Sequence, residues 1–445
     1  MSLIANKLAL VSAILVCFAG GIRAADSLSW NAAKGRVTAD VQTWDLQALL
    51  ENIATATGWE IYVEPKTRHN ASTKFKERPP GEALRLLLGN LSYVLVPQTN
   101  GPGKLYVFKN TRNDATQLVK GRKKSKKLDK ELIVTMKPGA KLDAEGLGAK
   151  VTGKIDKLNA YRLEFESAEV AEKARQKLEQ DENVDLVDSN YELSRPPNPD
   201  SLSMSSIPGL DLKIKPNQAG EGPIIGLLDT AVQGKSGFYL PGMSVAGEAT
   251  LDPNSPTHGT AMAEAILRGL GLLKENDVSG ARILPVDIYG DAPSASTFQL
   301  IQGLLDVLEG GADVVNMSLG SDDGIQLLQR MIAEASAKCV IFLAAAGNEP
   351  TTAPTFPAAY SEVTAVTALD RNGQIAPYAN RGNFVDVGAP GAVVFPFNGQ
   401  SHVTMGTSPA TAWASGLAGN LLASGQDPCT VAAKLRSMLA VPPQY

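Results

Sequence analysis

A serine, a histidine and an aspartate each stand where an apolar or small-residue run meets a polar turn. Ser408 lies in "MGTSPATA", directly before a small-residue run that predicts a helix. His258 lies in "PTHGTAMAEAI", at the start of an alanine-rich segment, and Asp229 ends the apolar run "IIGLLD". A serine hydroxyl is a poor nucleophile until a base within hydrogen-bond reach takes its proton, and a carboxylate can orient that base. The three side chains therefore suit acyl transfer, provided that the fold brings them together.

Each of these polar residues also has a simpler interpretation. Ser408 can cap a helix, and Asp229 taken alone closes the loop after a strand. Asn348 follows the apolar run "FLAAAG", where Gly347 favours a turn. No single residue decides between the two interpretations.

The choice of a base is narrow because the chain has three histidines. We expect His69, in "TRHNAS", to be an exposed loop residue of a different domain. His402 shortly precedes Ser408, and in an extended strand at about 3.3 Å per residue the two would be up to about 20 Å apart. We therefore expect His402 on a strand surface. His258 remains as the base, because Gly259 after it leaves its ring unobstructed.

From residue 222 onward, short apolar runs alternate with helical patterns. The runs "PIIGLLD", "ARILPVDIY", "ADVVNMSLG", "CVIFLAAAGN" and "EVTAVTALD" are rich in Val, Ile, Leu and Ala throughout. Strands that are buried on both faces have this composition, so the pattern predicts an α/β fold with a parallel sheet covered by helices on both faces. Ligands bind such sheets beyond the carboxyl ends of the strands, where Asp229 and Asn348 stand.

Four phrases, "LLDTAV", "THGTAM", "AAAGNEP" and "MGTSPATA", together resemble the signature of the subtilisin-like serine proteases. The resemblance spans residues 222–440 and implies a subtilisin-like fold with an Asp229–His258–Ser408 triad. It also implies an oxyanion hole formed by Asn348 and the backbone N–H of Ser408. Two segments would line the substrate cleft, although buried strand ends are the simpler interpretation of both. They are Ser318, Leu319 and Gly320 in "NMSLG", and Ala344, Ala345, Ala346 and Gly347 in "AAAG".

The sequence departs from the family pattern near two of these phrases. Ala231 replaces the usual glycine, which costs little if its φ is negative. Pro409 follows the serine, where its missing N–H does no harm in the first turn of a helix. Ala412 and Trp413 replace a Pro-His pair without removing a catalytic group. An inactive protease fold that serves as a binding scaffold is the alternative. A lipase-like esterase is excluded, because in those enzymes the serine comes first, in a G-x-S-x-G turn.

The first part of the chain predicts an export signal followed by a small domain. Residues 1–24 combine Lys7, a short apolar stretch and small residues before Ala24, which predicts export to the periplasm or the medium. Residues 30–110 predict a βαββαββ unit. Its phrase "GEALRLLLGNLSYVL" resembles the short N-terminal domain of secretins and TonB-dependent receptors, which implies docking to an envelope protein. The basic block "KGRKKSKK" lies in residues 111–130, which we expect to be a linker rather than a polyanion-binding patch.

Residues 131–192 predict a second small α+β unit of βαββαβ order, with a short helical segment around "DAEGLGA". The phrases "AYRLEFES" and "ARQKLEQDENVDLVDSN" resemble the propeptide of subtilisin-like proteases; a plain spacer is the simpler interpretation. The resemblance implies a folding chaperone and inhibitor whose tail crosses the active-site cleft. Residues 193–221 are rich in Pro, Ser and Gly, so we expect an exposed linker with the processing site. The implied partners are a peptide or protein substrate and the chain's own propeptide.

The overall composition is that of soluble globular domains, with 44% hydrophobic and 20% charged residues. A net charge of −4 gives no support for nucleic-acid binding. The sequence has no CxxC or HExxH pattern and no Asp-rich loop, so we expect neither a cofactor nor a metal site. Calcium stays open, because some proteases of the resembled family bind it although nothing in this sequence indicates it. Removal of the signal with Cys17 leaves Cys339 and Cys429, for which a disulfide and two buried thiols are both open.

Overall fold

The structure, a computed structural model, has three folded units in chain order. They are an N-terminal module (27–121), a middle unit (125–194) and a C-terminal unit (222–441), and a connecting segment (195–216) joins the last two. The predicted export signal lies outside the described residues. The described residues are 27–31, 34–65, 67–98, 102–119, 121, 125–202, 212, 214–216, 222–234, 237–271 and 278–441.

The N-terminal module packs two helices against two small sheets. Asp45 caps its first helix by accepting the N–H of Ala48 at 2.8 Å, and Gly58 ends that helix with a φ of 71°. Apolar residues at helical spacing, such as Leu46, Leu50 and Ile53, face the core. The elements are β1 (Ser27–Asn31), β2 (Arg36–Asp45), α1 (Leu46–Thr57), β3 (Glu60–Val63), β4 (Asn70–Arg78), α2 (Pro80–Leu88), β5 (Ser92–Val96), β6 (Lys104–Phe108), a 3-10 turn (Arg112–Asp114) and β7 (Gln117–Val119).

The two sheets of the module are ordered β1-β2-β4 and β5-β6-β3-β7. Strands β5 and β6 pair antiparallel, as predicted for a hairpin. Strands β1 and β7 are additional to the predicted βαββαββ order. Strand β7 lies inside the predicted linker 111–130, where it pairs with β3 and buries Val119 in the core. A three-residue strand is too short to show a period in the sequence.

The middle unit is a sheet with one helix, α3, packed on it. The helical segment predicted around "DAEGLGA" is absent, because residues 144–148 form turns and Gly148 has a φ of 68°. The sheet order is β11-β8-β10-β9. The elements are β8 (Lys127–Met136), β9 (Ala149–Ile155), a 3-10 turn (Asp156–Leu158), β10 (Ala160–Phe165), α3 (Ala168–Leu178) and β11 (Val184–Ser194).

The C-terminal unit is built on a parallel sheet that is covered on both faces, which confirms the predicted α/β class. The connecting segment contributes β12 (Asp200–Ser201) and β13 (Lys215–Pro216) beside it. The elements are β14 (Ile224–Asp229), β15 (Met243–Ser244), α4 (His258–Leu270), β16 (Val278–Ser279), β17 (Arg282–Asp287), β18 (Ser294–Ser296), α5 (Thr297–Glu309), β19 (Val314–Met317), α6 (Gln326–Ser336), β20 (Ile341–Ala345), β21 (Val363–Leu369), β22 (Val387–Pro390), β23 (Ala392–Phe397), β24 (Gln400–Met405), α7 (Thr407–Ala423) and α8 (Pro428–Met438).

The seven strands of the parallel sheet are ordered β15-β17-β14-β19-β20-β21-β22. Successive side chains of a strand point to opposite faces. Leu227 accordingly packs with α4 and α7, whereas its neighbour Leu228 packs with α5 and α6. Because both faces are buried, the strands need apolar residues at every position, which explains the continuous apolar runs in the sequence.

The middle unit covers the starts of α5 and α6. The Asp188 carboxylate accepts the N–H groups of Gln326 and Leu327, both at 3.0 Å, at the start of α6. Asn190 Oδ1 accepts the N–H of Phe298 at 3.1 Å at the start of α5. The first N–H groups of a helix have no partner within the helix, so these side chains of the middle unit complete both helices. Burial raises the pKa of Asp188.

The connecting segment has exposed residues, among them Pro197, Asn198 and Ser201, as its composition predicts, but it also forms two pairings that its composition does not predict. Strand β11 continues into the C-terminal unit by pairing antiparallel with β18, and Arg195 N–H donates to Pro293 O at 3.0 Å. Five residues later, β12 pairs antiparallel with β24, and Leu202 N–H donates to Ser401 O at 2.8 Å. Residues 193–202 are therefore attached to the C-terminal unit at both ends, a tertiary contact that composition does not reveal.

A disulfide between Cys339 and Cys429 settles the alternative that the sequence left open. The Cα atoms of the two cysteines are 4.7 Å apart. The bridge joins the turn after α6 to the first turn of α8, so it links two elements that are far apart along the chain.

Replacement of Asp188 by alanine would leave two N–H groups of α6 without an acceptor. We expect a loss of about 1–2 kcal/mol in the stability of the full chain, the usual cost of removing a helix cap. Chemical denaturation in a Ser408→Ala background measures the loss. Glu179→Ala, which removes an exposed carboxylate of the same unit, is the matched control. An equal loss in both variants would contradict the capping role.

Candidate functional site

The geometry of the site begins with a buried pair formed by Asp229 and His258. Asp229 is the last residue of β14, and His258 is the first residue of α4. The His258 Nδ1 atom lies 2.8 Å from Asp229 Oδ1 and 3.0 Å from Oδ2. Both side chains are buried, with 1% and 3% of their residue surfaces exposed. Because Asp229 accepts the Nδ1 proton, the Nε2 atom of the neutral ring carries the free lone pair.

The residues around His258 hold the start of α4 against the end of β14. Thr257 caps the helix by accepting the N–H of Thr260, and Gly259 N–H donates to Thr230 Oγ1 at 2.8 Å. A Cβ atom on Gly259 would lie 2.1 Å from Thr230 O. Gly259 is therefore needed for close backbone packing, whereas the sequence analysis explained this glycine by an unobstructed histidine ring.

Ala231, which replaces the usual glycine of the family, has no positive φ, so its methyl group causes no strain there.

Helices α4 and α7 pack backbone to backbone, and this contact fixes the position of Ser408 along the helix pair. A Cβ atom on Gly416 would lie 2.0 Å from Ile266 O, and Asn420 Nδ2 donates to Leu270 O at 2.7 Å. Both contacts join residues that are 150 positions apart, so the helices run parallel. Ser408 follows His258 by the same 150 positions. The first turns of the two helices therefore lie side by side, at the same position along the helix axes.

Ser408 is the second residue of α7 and is half-buried. Its Oγ atom donates to Ser318 O at 3.3 Å, and its carbonyl accepts from Ser318 Oγ at 3.2 Å. The edge segment after β19 is thus tied to the start of α7. Pro409 occupies the third helical position, where its missing N–H costs nothing, as the sequence predicts.

Asn348 lies directly opposite the start of α7. Its Oδ1 atom accepts the Thr407 N–H at 2.9 Å and the Thr407 hydroxyl at 3.2 Å. Gly406 has a φ of 154°, and a Cβ on it would lie 3.1 Å from Asn348 Nδ2. This close approach is the reason for the glycine in "GTS".

The two predicted substrate walls differ in accessibility. Ser318 and Leu319 are largely buried, whereas Gly320 is exposed beside the cleft. On the other side, Ala344 is held in β20 by pairing with β19 and β21, and Ala345 pairs with β21. The remaining residues of this wall are Ala346, which is buried and donates its N–H to Val366 O, and Gly347, which is half-buried.

Two buried asparagines that the sequence analysis did not assign hold these segments. Asn316 donates to Ser318 Oγ at 2.9 Å and accepts from Ser415 Oγ at 3.1 Å, which joins β19 to α7. Asn380 donates to Ala346 O at 2.7 Å and accepts the Glu349 N–H at 2.8 Å, so it spans the loop that carries Asn348. Asn316 stands inside the apolar run "VVNM", which was a signal because a buried amide must find partners. Asn380 stands in "YANRGN", among polar residues, and gave no such signal.

The other two histidines differ in burial from what the sequence predicts. His402 is on β24, but it is buried at 1% exposure rather than on the strand surface, and burial lowers its pKa. Residues 200–202 and the rings of Phe395 and Phe397 cover it. His69 is half-buried instead of exposed, with Nε2 2.7 Å from Leu87 O.

No group of three or more His, Cys, Asp or Glu side chains in the described part of the chain could hold a metal ion. None of the helices in that part is long and apolar enough to cross a membrane.

The patterns of two known protein families match this chain. The sequence pattern of the subtilase family matches residues 204–439, more than half of the chain. The chain belongs to the subtilase family. A second pattern, that of the fervidolysin N-terminal prodomain, matches residues 113–190 and so covers most of the middle unit.

Several characterised proteases are similar to this subtilase. The thermostable alkaline protease of Halalkalibacterium halodurans is 29% identical over 268 residues, which are 56% of this chain and 70% of the relative. Thermitase of Thermoactinomyces vulgaris is 29% identical over 231 residues, 49% of this chain and 81% of the relative. Subtilisin Savinase of Lederbergia lenta is 30% identical over 210 residues, 45% and 76% respectively. The chain is therefore a serine endopeptidase that acts on peptides and carries its own prodomain.

Gly269→Ala tests the helix contact that aligns the site. The added Cβ would lie 2.0 Å from Trp413 O, and backbone cannot move aside as a flexible side chain can. We expect a loss of about 3 kcal/mol in unfolding free energy, the upper part of the usual range for overpacking. Gly271→Ala is the control, because the nearest atoms there are 3.6 and 3.7 Å away. If denaturation shows equal stability for both variants, the backbone contact is not needed.

Proposed function

We propose that this subtilase is an exported endopeptidase that cuts itself out of a precursor, with Ser408 as nucleophile, His258 as base and Asp229 as the orienting acid. The observation that carries the proposal is the parallel α4–α7 contact, since its constant offset of 150 residues sets His258 and Ser408 level. The buried Asp229–His258 pair supports the assignment of the base.

Acylation would start when the Ser408 hydroxyl turns from Ser318 O toward His258 Nε2. The oxygen attacks the carbonyl carbon of the scissile peptide, and its proton passes to Nε2. Asp229 stabilises the resulting imidazolium through its contacts with Nδ1. His258 then gives the proton to the leaving amine, which breaks the C–N bond. Water repeats the sequence on the acyl-enzyme and regenerates Ser408.

The negative charge on the tetrahedral carbonyl oxygen would be held by two donors. The backbone N–H of Ser408 is one of the first N–H groups of α7, which have no acceptor within the helix. The Asn348 amide is the other, and its orientation is supported by the Thr407 groups that bind Oδ1. Donors that are fixed before the reaction need no reorganisation during it, and this makes them effective.

A Ser408→Ala chain tests self-processing and export together. We expect the wild-type chain to be cut between its prodomain and its C-terminal unit, and the Ser408→Ala chain to stay intact from Ala25 onward. Intact mass and N-terminal sequencing measure both results. Ser424→Ala, an exposed serine at the end of the same helix, should process normally.

A fluorophosphonate probe, which reacts with activated serines, tests the chemistry independently. We expect the probe to label Ser408 in the processed protein and not in the Ser408→Ala chain. Normal processing of the purified Ser408→Ala chain, or a processed protein that no probe labels, would contradict the proposal. The second result would favour a protease fold that acts as a binding scaffold.

The connecting segment supports the inhibitor role of the middle unit. Leu193 is buried in an apolar cluster with Ala295 and Phe298, beside the pairing of β11 with β18. Asp200 then pairs with Val403 in β24, the strand that leads into Ser408. We propose that the segment crosses the cleft between these two pairings, as a bound substrate would. The cleft of the precursor would be closed by its own tail.

Three prolines make this tail hard to cut. Continuing the β12–β24 register toward the chain start sets Pro197 opposite Gly406, two residues before Ser408. The bonds Arg195–Pro196, Pro196–Pro197 and Asn198–Pro199 all have a proline nitrogen as leaving group. That nitrogen carries a ring carbon in place of the N–H, and we propose that this carbon hinders the delivery of a proton by His258. The tail would therefore bind as a substrate does and yet resist hydrolysis.

Pro197→Ala should convert the tail into a substrate. We expect a new cut directly after Pro196 in the variant, whereas the wild-type chain has no new terminus at Pro196, Pro197 or Pro199. Peptide mass mapping of the processed protein identifies the termini. Asn198→Ala is the control, since it changes the adjacent residue without removing a proline. A wild-type terminus at any of the three prolines would refute this account of the tail.

The N-terminal module has a separate proposed role. Its βαββαββ elements support the resemblance to the short N-terminal domain of secretins and TonB-dependent receptors, and we propose that the module can dock to an envelope protein. We further propose that the protease works without a cofactor or metal, because serine, histidine and aspartate complete the reaction by themselves.

A further inference from the structure

A buried carboxylate in the N-terminal module has no role in the chemistry proposed above. Glu51 lies on α1, between residues that face the core of the module, and 4% of its surface is exposed. Burial of a carboxylate costs several kcal/mol unless hydrogen bonds compensate for the lost water. Glu51 therefore needs strong partners, and α1 supplies only Gln47, whose Nε2 donates at 2.8 Å.

The other partners of Glu51 belong to the C-terminal unit, 300 residues away in sequence. Thr351 Oγ1 donates to Oε2 at 2.7 Å, and Thr352 Oγ1 donates to the same atom at 2.9 Å. The backbone N–H of Thr352 lies 3.0 Å from both carboxylate oxygens. Hydrogen bonds to a charged acceptor are about twice as strong as those between neutral groups. The carboxylate is thus seated in a site built by one short loop.

The same loop is the continuation of the segment that carries Asn348. Asn380 Oδ1 accepts the N–H groups of Glu349 and Thr351, at 2.8 and 3.4 Å, and Thr351 O accepts the N–H of Arg381 at 2.9 Å. Glu51 binds the next residue, Thr352, through the N–H and the hydroxyl group of that residue. The segment after Asn348 is therefore fixed on one side by the C-terminal unit itself and on the other side by the N-terminal module.

The opposite charges of Glu51 and Arg381 also favour the contact between the N-terminal module and this loop. The Arg381 guanidinium is packed behind the loop, where its Nη2 atom donates to the carbonyls of Pro377 and Ala379. Burial lowers the pKa of Arg381, and the charge of Glu51 opposes that effect. Burial also raises the pKa of Glu51, while its hydrogen bonds to the two threonines oppose the shift. The charge of Glu51 thus reduces the cost of burying Arg381.

We propose that Glu51 anchors the N-terminal module on the rim of the active site, so that the module remains bound to the C-terminal unit and positions the loop that follows Asn348. The partner that fits the rim surface formed by Thr351, Thr352 and Arg381 is the module of the same chain. The docking stands independently of the catalytic assignment, whereas the effect on Asn348 rests on the proposed function. Glu51 acts through Thr351 and Thr352 and is a positioning residue.

Docking is tested on the full Ser408→Ala chain, in which no self-digestion occurs. A site for a sequence-specific protease is placed at residues 122–124, and the cut sample is passed through a sizing column. We expect the module to co-elute with the rest of the chain when Glu51 is present and to separate from it in Glu51→Ala. Glu82→Ala, an exposed carboxylate on α2, should behave as the parent does. Separation in the parent, or co-elution in Glu51→Ala, would overturn the proposal.

Hydrogen exchange shows whether the loop itself depends on Glu51. We expect the Thr352 amide to exchange about 10–100-fold faster in Glu51→Ala than in the parent, which corresponds to the loss of a charged hydrogen bond. Glu51→Gln, which keeps an acceptor oxygen and the side-chain size, should give a smaller increase. Unchanged exchange in Glu51→Ala would remove the positioning role. Circular dichroism confirms that the variants are folded.

The effect on catalysis is measured as the first-order rate of self-processing with Ser408 present. We expect a fall of about 10-fold in Glu51→Gln, with fluorophosphonate labelling of Ser408 retained. An unchanged rate in a variant whose loop exchanges faster would refute the link to Asn348. Absence of labelling and processing in every sample, the parent included, would count against the proposed function and leave the column and exchange results to decide the docking.

Discussion

The site depends on the direct contact between the backbones of α4 and α7. A helix surface covered with large side chains would hold its neighbour away, and the first turns of two such helices would not meet. Gly269 and Gly416 remove the side chains at the contact, and alanines fill the surroundings on both helices. Closely packed protein interiors tolerate few rearrangements, so this contact prevents one helix from sliding along the other. His258 and Ser408 are placed by it.

The second constraint is the placement of buried acidic and amide groups on free N–H groups. Asp188 and Asn190 of the middle unit complete the starts of α6 and α5, and Glu51 of the N-terminal module binds the loop after Asn348. In each case one unit supplies the acceptor and the other the donor. Such contacts are costly when incomplete and directional when complete, so they define how the units sit on one another. The first two units are thereby each joined to the C-terminal unit.

Local pattern was enough for much of the fold. The continuous apolar runs predicted a sheet buried on both faces, because each strand residue meets a helix on one side or the other. The sequence pattern did not predict the elements that form only through pairing with distant strands. Strands β7 and β12 have two or three residues and exist only because β3 and β24 accept them. The predicted helix around "DAEGLGA" failed because two glycines in five residues favour turns over a helix.

Residue types and their order determined by themselves which chemistry this chain could perform, because few combinations of side chains activate a serine. They also predicted His258 as the base by elimination. The tertiary structure decided what surrounds that chemistry: the buried position of His402, the Cys339–Cys429 disulfide, the asparagines behind the cleft and the contact of Glu51 with a loop 300 residues away. These features depend on which distant segments meet, and the packing of separate units, unlike a local period, leaves no repeat in the sequence.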